Sequence, residues 1–250
     1  MAEKRQVIVR IKRQGSPKES ARWEEFALTW RPSMNVIICL RDIAENPVTR
    51  DRKKTTPISY DSNCLEEICG SCAMLINGKA RMACSALVDS LEQPIRIEPL
   101  SKFPLVRDLA VDRQFMFESL KRVKAWIPID GTYDLGEGPR VSPEVQQAAY
   151  PLSSCISCGS CLEVCPQVND NSKFVGAAII SQVRLFNMHP TGAMHAKERI
   201  NALMQPGGIQ DCANAQNCVA ACPKNIPLTD SIAEVNRQAW KQALLGWLIG

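Results

Sequence analysis

The chain has 250 residues, of which 45% are hydrophobic, and it carries a formal net charge of +4. This length exceeds that of most single domains, so we expect two domains of ordinary size, each able to bury a core. The mild positive charge, with no long block of lysine and arginine, argues against a nucleic-acid-binding protein. No apolar run approaches the roughly 18 residues of a membrane span.

The 12 cysteines are the most informative part of the composition. Frameworks of disulfide bonds belong mainly to short secreted chains. Residues 1–6 lack the apolar segment of a signal peptide, so we expect a reducing compartment and thiols that bind metal. A disulfide framework is the weaker alternative.

The first elements along the chain predict a hairpin followed by a helix. Residues 6–13 and 23–30 are β-type stretches, and Pro17 lies in the turn-forming segment between them. Residues 34–45 have apolar side chains at helical spacing. Cys39 lies inside this apolar helix, where a buried small hydrophobic residue is a better interpretation than a ligand.

Four cysteines of the first half have the plant-type ferredoxin spacing for a [2Fe–2S] centre, with a four-residue gap, a two-residue gap and a distant fourth thiol. They are Cys64, Cys69, Cys72 and Cys84. Asn77 and Gly78 predict a two-residue hairpin turn that returns Cys84 to a position opposite Ser71 and beside Cys72. Gly70 suits a positive φ, which lets backbone N–H groups point at a cluster. A structural zinc site with the same four thiols is the alternative.

The rest of the chain predicts one more strand at 93–99, an exit from the first domain at 103–112, and then helices. Ser142 suits the cap position of one helix, with Pro143 at its first position. Proline and glycine at 127–139 predict an ordered connector or a loop. The predicted helices cover residues 113–126, 142–150, 176–186, 193–204 and 229–246.

A second cysteine motif matches the bacterial ferredoxin signature, in which four thiols with two-, two- and three-residue gaps precede a proline. It consists of Cys155, Cys158, Cys161, Cys165 and Pro166. In two-cluster ferredoxins the fourth cysteine of such a run binds the other cluster. The motif therefore requires a partner motif further along the chain.

The partner motif lies 57 residues later and lacks one thiol. The shift takes Cys155 to Cys212, Cys161 to Cys218, Cys165 to Cys222 and Pro166 to Pro223, but it takes Cys158 to Ala215. With crossed ligation, Cys155, Cys158, Cys161 and Cys222 hold a [4Fe–4S] cluster, and Cys165, Cys212 and Cys218 hold the second cluster. A methyl group cannot ligate iron, so we expect this second cluster to be [3Fe–4S]. Two alternatives stay open: Cys39 as an eighth ligand, or a cubane whose last corner is held by water or a non-cysteine oxygen.

The order of these motifs resembles that of the iron–sulfur subunits of succinate dehydrogenases and fumarate reductases, over nearly the whole chain. Segments 63–72, 103–109 and 181–186 are also similar to this family. The resemblance implies an α+β chain with a plant-type ferredoxin (β-grasp) domain at 1–112 and an all-α, bacterial-ferredoxin-like domain at 113–250. It implies electron transfer with no catalytic residue in this chain.

The resemblance also implies partners and a location. In that family a flavoprotein subunit oxidises succinate at covalently bound FAD, and the iron–sulfur subunit carries single electrons to quinone in a membrane anchor. The [2Fe–2S] domain would face the flavin and the [3Fe–4S] centre would face the membrane. The chain would be a peripheral subunit on the cytoplasmic side of a bacterial cell membrane.

One departure concerns the quinone site. Family members that bind ubiquinone typically have aromatic residues after the Cys-Pro dipeptide and a histidine after the first cysteine of the second run. In this chain Gln167, Val168, Asn169 and Asp170 follow Pro166, and Ala213 follows Cys212. We therefore assign no quinone-binding residue. The pattern resembles the branch that uses menaquinone and a cytochrome b anchor with two haems.

Other interpretations stay open at this point. They are a fumarate reductase subunit, a free-standing multi-cluster electron carrier and a zinc-stabilised interaction module. His189 and His195 have no ligand spacing around them, so a surface or capping role is expected. The C-terminus is apolar and would either pack in the core or dock on a membrane subunit; its apolar residues are Trp240, Leu244, Leu245, Trp247, Leu248 and Ile249.

Overall fold

The computed structural model describes residues 5–127 and 139–249. The chain divides into two compact units, Met1–Arg113 and Gln114–Gly250. Among the described residues, every strand lies in the first unit, and from Gln114 onward the regular elements are helices. Most of the predicted connector at 127–139 lies outside the described residues, as do residues 1–4.

The first unit is built on a five-stranded mixed sheet and a two-stranded ribbon. The elements are β1 Gln6–Arg13, β2 Arg22–Thr29, α1 Val36–Glu45, β3 Ala73–Ile76, β4 Lys79–Met82, a 3-10 turn Val88–Ser90, β5 Ile95–Glu98, β6 Leu105–Arg107 and β7 Ala110–Val111. The strand order of the sheet is β2-β1-β5-β3-β4, and β6 and β7 form the ribbon. Strand β5 pairs parallel with β1 and antiparallel with β3, so the last strand of the sheet is inserted between two hairpins.

The predicted opening hairpin and first helix are confirmed. Strand β1 alternates buried and more exposed residues, and its inward side chains Val7, Val9 and Ile11 are fully buried. The helix begins at Val36, two residues later than predicted, because Asn35 caps it: the Asn35 side chain accepts a hydrogen bond from the Ile38 N–H at 2.9 Å. The apolar face of α1 then packs in the core of the first unit.

A buried ion pair between Arg13 and Asp108 joins the end of β1 to the turn between β6 and β7. The side chains are 1% and 2% exposed. The Arg13 guanidinium donates to both Asp108 carboxylate oxygens, at 3.0 and 3.3 Å. The same carboxylate accepts the backbone N–H groups of Gln14 and Ser59 at 3.0 and 3.1 Å. Asp108 thus ties three separate segments of the chain together.

The second unit is helical over its described residues. The helices are α2 Gln114–Arg122, α3 Pro143–Ser153, α4 Ser160–Glu163, α5 Ala177–Met188, α6 Pro190–Ala193, α7 Ala196–Leu203, α8 Asn217–Ala221 and α9 Leu228–Ile249, with a 3-10 turn at Ile209–Asp211. The helix predicted at 193–204 is the shorter α7, and the one predicted at 113–126 ends early, at Arg122. Ser142 caps α3 as predicted, accepting from the Val145 N–H at 3.4 Å.

Helices α5 and α9 pack together in the core of this unit, where Ile180, Val183 and Val235 are fully buried. The buried Arg199 of α7 stabilises the surrounding loops through four hydrogen bonds at 2.6–3.0 Å. Its partners are the backbone carbonyls of Lys124, Trp126 and Gly192 and the side-chain oxygen of Asn187. This buried arginine, like the Arg13 and Asp108 pair, was not predicted from the sequence.

Candidate iron–sulfur centres

The loop that leads into β3 wraps backbone N–H groups around two thiol groups. Cys64 Sγ accepts hydrogen bonds at 3.3–3.4 Å from the backbone N–H groups of Glu66, Ile68 and Cys69. Cys84 Sγ accepts one from Glu67 at 3.3 Å. Such donors stabilise negative charge on sulfur, as a thiolate ligand of iron requires.

The backbone of this loop takes left-handed conformations at three positions. Gly70 has a φ of 72°, which confirms the predicted role of this glycine, and Leu65 and Glu67 have φ values of 63° and 56°. Left-handed residues among right-handed ones turn successive N–H groups to one side of the chain, forming an anion-binding concavity. The two non-glycine positions were not predicted, because leucine and glutamate rarely adopt this conformation.

The β3–β4 hairpin returns the fourth thiol to the loop, as predicted. Asn77 and Gly78 form the turn with φ values of 50° and 76°, and Ala73 lies opposite Met82. The Ala83 N–H then donates to the Cys72 carbonyl at 3.0 Å. Burial, with a further contribution from the neighbouring Cys84 thiol, raises the pKa of Cys72 to about 11.

The second unit gathers four thiols around one cavity, which we call the four-thiol cavity. They are Cys155, Cys158, Cys161 and Cys222. Burial raises the pKa of Cys161 well above its ordinary value, and the three other thiols of the cavity add to the effect. Three of these cysteines come from the first motif and one from the second.

A neighbouring cavity, the three-thiol cavity, is lined by Cys165, Cys212 and Cys218. Ala215 lines the same cavity, so the position without a thiol faces the same space as the three thiols. Burial raises the pKa of Cys218, and the nearby Cys165 and Cys212 thiols raise it further. The eleven motif cysteines therefore lie in groups of four, four and three.

The repeat extends from the cysteines to the backbone. Ser157 and Gly159 are left-handed in the first motif, and Asn214 and Gln216, each 57 residues later, are left-handed in the second. Helices α4 and α8 begin at equivalent positions, directly after these loops. The carbonyls of Cys165 and Cys222 accept equivalent hydrogen bonds, from Val168 and Asn225, both at 3.2 Å. The two motifs thus have the same backbone structure, and they differ in that the first has Cys158 where the second has Ala215.

Helices α5 and α9 begin at the two cavities. Ala178 lines the four-thiol cavity and Ala177 the three-thiol cavity. At the start of α9, Leu228 lines the four-thiol cavity and Thr229 lines the three-thiol cavity. The N-terminus of a helix carries partial positive charge, so both helices favour negatively charged groups in these cavities.

Cys39 is not part of any of the three groups. It lies on α1 in the first unit and is fully buried among apolar side chains. Burial first, and then the nearby Asp42 carboxylate, raise the pKa of Cys39 to about 12. The interpretation of Cys39 as a buried small hydrophobic residue is confirmed.

Cys39 is expected to resist alkylation in the native protein. Because burial excludes the reagent and the raised pKa keeps the reactive thiolate a minor form, reaction of Cys39 with iodoacetamide at about pH 8 should be much slower in native than in urea-unfolded protein. Mass spectrometry of native and urea-unfolded protein checks this. Modification of Cys39 at equal rates in both states, or loss of iron in Cys39→Ala, would contradict it.

The two histidines and the C-terminus complete the predicted features. His189 caps α6, accepting from the Gly192 N–H at 3.3 Å, which confirms the capping interpretation. His195 lies at the start of α7 and contacts Glu198 at 3.0 Å. Trp240 and Trp247 on α9 are 63% and 80% exposed, so of the two alternatives left open for the C-terminus, packing in the core does not apply to these residues. The side chain of Ile249 lies outside the described residues.

Two family profiles match the chain. The family described as a 2Fe-2S iron-sulfur cluster binding domain matches residues 8–118. The family described as a 4Fe-4S dicluster domain matches residues 151–226. The first match contains Cys64 to Cys84, and the second contains all seven cysteines of the two repeated motifs.

Relatives match over most of their length. A succinate dehydrogenase iron-sulfur subunit of Bacillus subtilis is 58% identical over 97% of this chain and 96% of its own. A fumarate reductase iron-sulfur subunit of Wolinella succinogenes is 33% identical over 86% of this chain and 89% of its own. A chain of the Mycobacterium smegmatis Sdh1 complex in the apo form has the same fold, with a TM-score of 0.80 and 21% identity over 96% of this chain and 98% of that chain.

Proposed function

The chain belongs to the family of iron–sulfur subunits of succinate dehydrogenases and fumarate reductases, and from this premise we propose that it carries electrons between a flavoprotein subunit and a membrane anchor. The observation that carries the proposal is the gathering of eleven cysteines into groups of four, four and three. The chain has no catalytic residue of its own. The dicarboxylate chemistry belongs to the FAD-containing partner.

Each group of thiols has a proposed cluster. The first domain, 1–112, is a plant-type β-grasp ferredoxin domain holding one [2Fe–2S] centre through Cys64, Cys69, Cys72 and Cys84. The second domain, 113–250, is all-α and bacterial-ferredoxin-like, and holds one [4Fe–4S] centre through Cys155, Cys158, Cys161 and Cys222. Support comes from the matched families, from the backbone N–H groups that approach Cys64 and Cys84, and from the four thiols that line one cavity.

The remaining centre is [3Fe–4S], ligated by Cys165, Cys212 and Cys218. Ala215 lies where the repeat otherwise has a thiol, and it lines the three-thiol cavity. The alternative that Cys39 supplies an eighth ligand loses support, because Cys39 is buried in the first unit. A cubane whose last corner is held by water or a non-cysteine oxygen stays as the competing hypothesis.

This chain sets the electrostatic environment in which single electrons move. Cluster type, net charge, hydrogen bonds to sulfur and solvent exposure together tune cluster potentials over roughly −700 to +450 mV. The N–H groups around Cys64 and the N-termini of α5 and α9 favour electron acceptance, because both stabilise added negative charge. The polypeptide therefore acts by adjusting the reduction potentials of the clusters.

The direction of electron flow is proposed as succinate oxidation. The 58% identity to a succinate dehydrogenase subunit favours it over the 33% identity to a fumarate reductase subunit. Fumarate reduction is the second candidate, since the same chain of centres conducts either way. Assays of both activities in the purified complex separate the two.

The acceptor side is proposed to be a cytochrome b anchor with two haems that passes electrons to menaquinone. Polar Gln167 and small Ala213 line the three-thiol cavity where ubiquinone-binding members have aromatic residues and histidine. Within the described residues, no helix combines the length and apolarity needed to cross a bilayer. The chain is proposed to be a peripheral subunit on the cytoplasmic side of the membrane. A purified complex without a haem spectrum would contradict the proposed cytochrome b anchor.

The exposed apolar face of α9 is proposed to contact the membrane anchor. Trp240, Leu244, Trp247 and Leu248 recur on one side of the helix and are all more than half exposed. Large exposed apolar patches mark interaction sites. No acidic residue follows Glu234 on this helix, which suits a surface close to a bilayer.

Leu244→Glu is expected to release the subunit from membranes. Losing the burial of one leucine costs about 1.5–3 kcal/mol, so the affinity for the membrane anchor should fall roughly tenfold or more and the membrane-bound fraction should fall with it. Immunoblots of washed membranes measure it. Val145→Glu, a matched change at a 37% exposed residue of α3, is the control and should leave binding unchanged. Equal membrane binding of both variants would show that α9 is not part of the interface.

Iron and sulfide analysis with low-temperature EPR of the anaerobically purified complex tests the function. About nine irons per chain and three distinct cluster signals are expected. Co-purification with a larger flavoprotein and a haem protein supports the complex, whereas a stable lone protein supports a free-standing carrier. Colourless protein without acid-labile sulfide would instead support the zinc module.

A further inference from the structure

Arg113 reaches from the end of β7 into the loop that contains Cys69 and Cys72. Its two terminal nitrogens donate to the backbone carbonyls of Gly70 and Ser71, both at 2.8 Å. These two carbonyls belong to the peptide groups that lie between the two cysteines. Arg113 is half-buried, so solvent screens these bonds only in part.

The opposite sides of the same peptide groups point away from Arg113. In a planar trans peptide the C=O and N–H groups point in opposite directions. The carbonyl of Gly70 and the N–H of Ser71 belong to one such plane. The same loop, directly before Gly70, directs the N–H groups of Ile68 and Cys69 at Cys64 Sγ, both at 3.3 Å. Arg113 therefore holds the oxygen ends of two peptide groups in the loop whose N–H groups approach sulfur.

We propose that Arg113 is a positioning residue for the [2Fe–2S] centre: it fixes the two peptide groups between Cys69 and Cys72, and with them the positions of these two thiols, and its positive charge raises the reduction potential of the centre. The inference rests on the proposed function. The planar guanidinium fork can hold two carbonyls at once, which a lysine ammonium cannot do in the same geometry.

Three variants of the full complex test the proposal. Arg113→Gln removes the charge and the fork, and Arg113→Lys keeps only the charge. Arg50→Gln removes one positive charge elsewhere in the first unit, where Arg50 pairs with Glu25, and is the matched control. The measurement is the midpoint potential of each cluster from an EPR-monitored redox titration, with the four-iron and three-iron centres as internal references.

The expected result is a lower [2Fe–2S] midpoint in Arg113→Gln, a smaller decrease in Arg113→Lys, and unchanged midpoints for the other two centres. Selective loss of the [2Fe–2S] irons in Arg113→Gln, with the shifted midpoint read in Arg113→Lys, also supports the proposal. A [2Fe–2S] midpoint in Arg113→Gln equal to that of Arg50→Gln would overturn it, as would loss of all three clusters in both Arg113 variants. Absence of a [2Fe–2S] signal from the wild-type complex would instead refute the proposed function.

Discussion

Replacing Ala215 with cysteine is expected to convert the three-iron centre into a four-iron centre. Ala215 lines the three-thiol cavity and is the repeat equivalent of Cys158, and its neighbours Asn214 and Gln216 have the backbone conformation of Ser157 and Gly159. A thiol at Ala215 would therefore occupy the position of a fourth ligand. The iron content should rise from about nine to about ten per chain, and the potential of the centre should fall.

The conversion is measured by iron analysis and by loss of the three-iron EPR signal from oxidised protein. Ala213→Cys is the control, because Ala213 lines the same cavity but corresponds to Ile156, which is not a cysteine. This variant should keep the three-iron signal. An unchanged three-iron signal in Ala215→Cys would show that the shape of the cavity, rather than the missing thiol, excludes the fourth iron.

The reciprocal change extends the test to the four-thiol cavity. Cys158→Ala gives the first motif the side chain that the second motif has naturally. If one thiol at this position decides between the two cluster types, the variant should lose one iron and show a second three-iron signal. Retention of a four-iron centre in Cys158→Ala would contradict the ligand assignment.

Replacing Asp108 with alanine is expected to cause the largest loss of stability in the first unit. The substitution leaves the Arg13 guanidinium buried with only the Glu24 carboxylate as an ionic partner, and it removes the acceptor of two backbone N–H groups. Breaking a buried ion pair from one side costs about 3–5 kcal/mol. Urea titration followed by the [2Fe–2S] absorbance measures this loss as a lower midpoint.

Glu25→Ala is the matched control, since Glu25 pairs with Arg50 through side chains that are 33% and 58% exposed. An exposed ion pair contributes about 0–1 kcal/mol to stability, so the urea midpoint of this variant should be close to that of the wild type. Equal midpoints for Asp108→Ala and Glu25→Ala would show that the buried pair adds no net stability.

The pH dependence of this contribution follows from the pKa of Asp108. Burial alone would raise this pKa, but the hydrogen bonds from Arg13, Ser59 and Gln14 outweigh burial and lower it. A lowered pKa gives stability that is fully present above the unfolded value of about 3.9 and is lost as the pH falls through the folded value. The difference between wild type and Asp108→Asn should therefore stay constant from neutral pH down to about 4 and narrow only in stronger acid.

Much of the site could be predicted from the sequence because cysteine spacing carries most of the geometric information. Short gaps restrict which thiols can meet, and the Asn77-Gly78 turn alone sets the register that returns Cys84 to Cys72. The 57-residue repeat indicated that each cavity takes cysteines from both motifs. Cap residues such as Ser142 could also be predicted, since their hydrogen bonds are local.

The parts that were missed depend on contacts between distant segments. The pairing of Arg13 with Asp108 spans most of the first unit, and neither residue differs in the sequence from an ordinary surface charge. The hydrogen bonds from Arg113 to Gly70 and Ser71 are equally distant. Left-handed Leu65 and Glu67 have no local signal, because the turns of the cluster loop override their intrinsic backbone preferences.

Because each cavity takes cysteines from both motifs, each cluster would also cross-link the two motifs. Under the proposed ligation, Cys161 and Cys222 share one cluster and Cys165 and Cys212 share the other. Joining positions roughly 50–60 residues apart removes chain entropy from the unfolded state, an effect of about 4 kcal/mol for a single bridge of this size. Neither cluster can be completed until both motifs have been synthesised. Folding of the second unit and insertion of its clusters are therefore one coupled process.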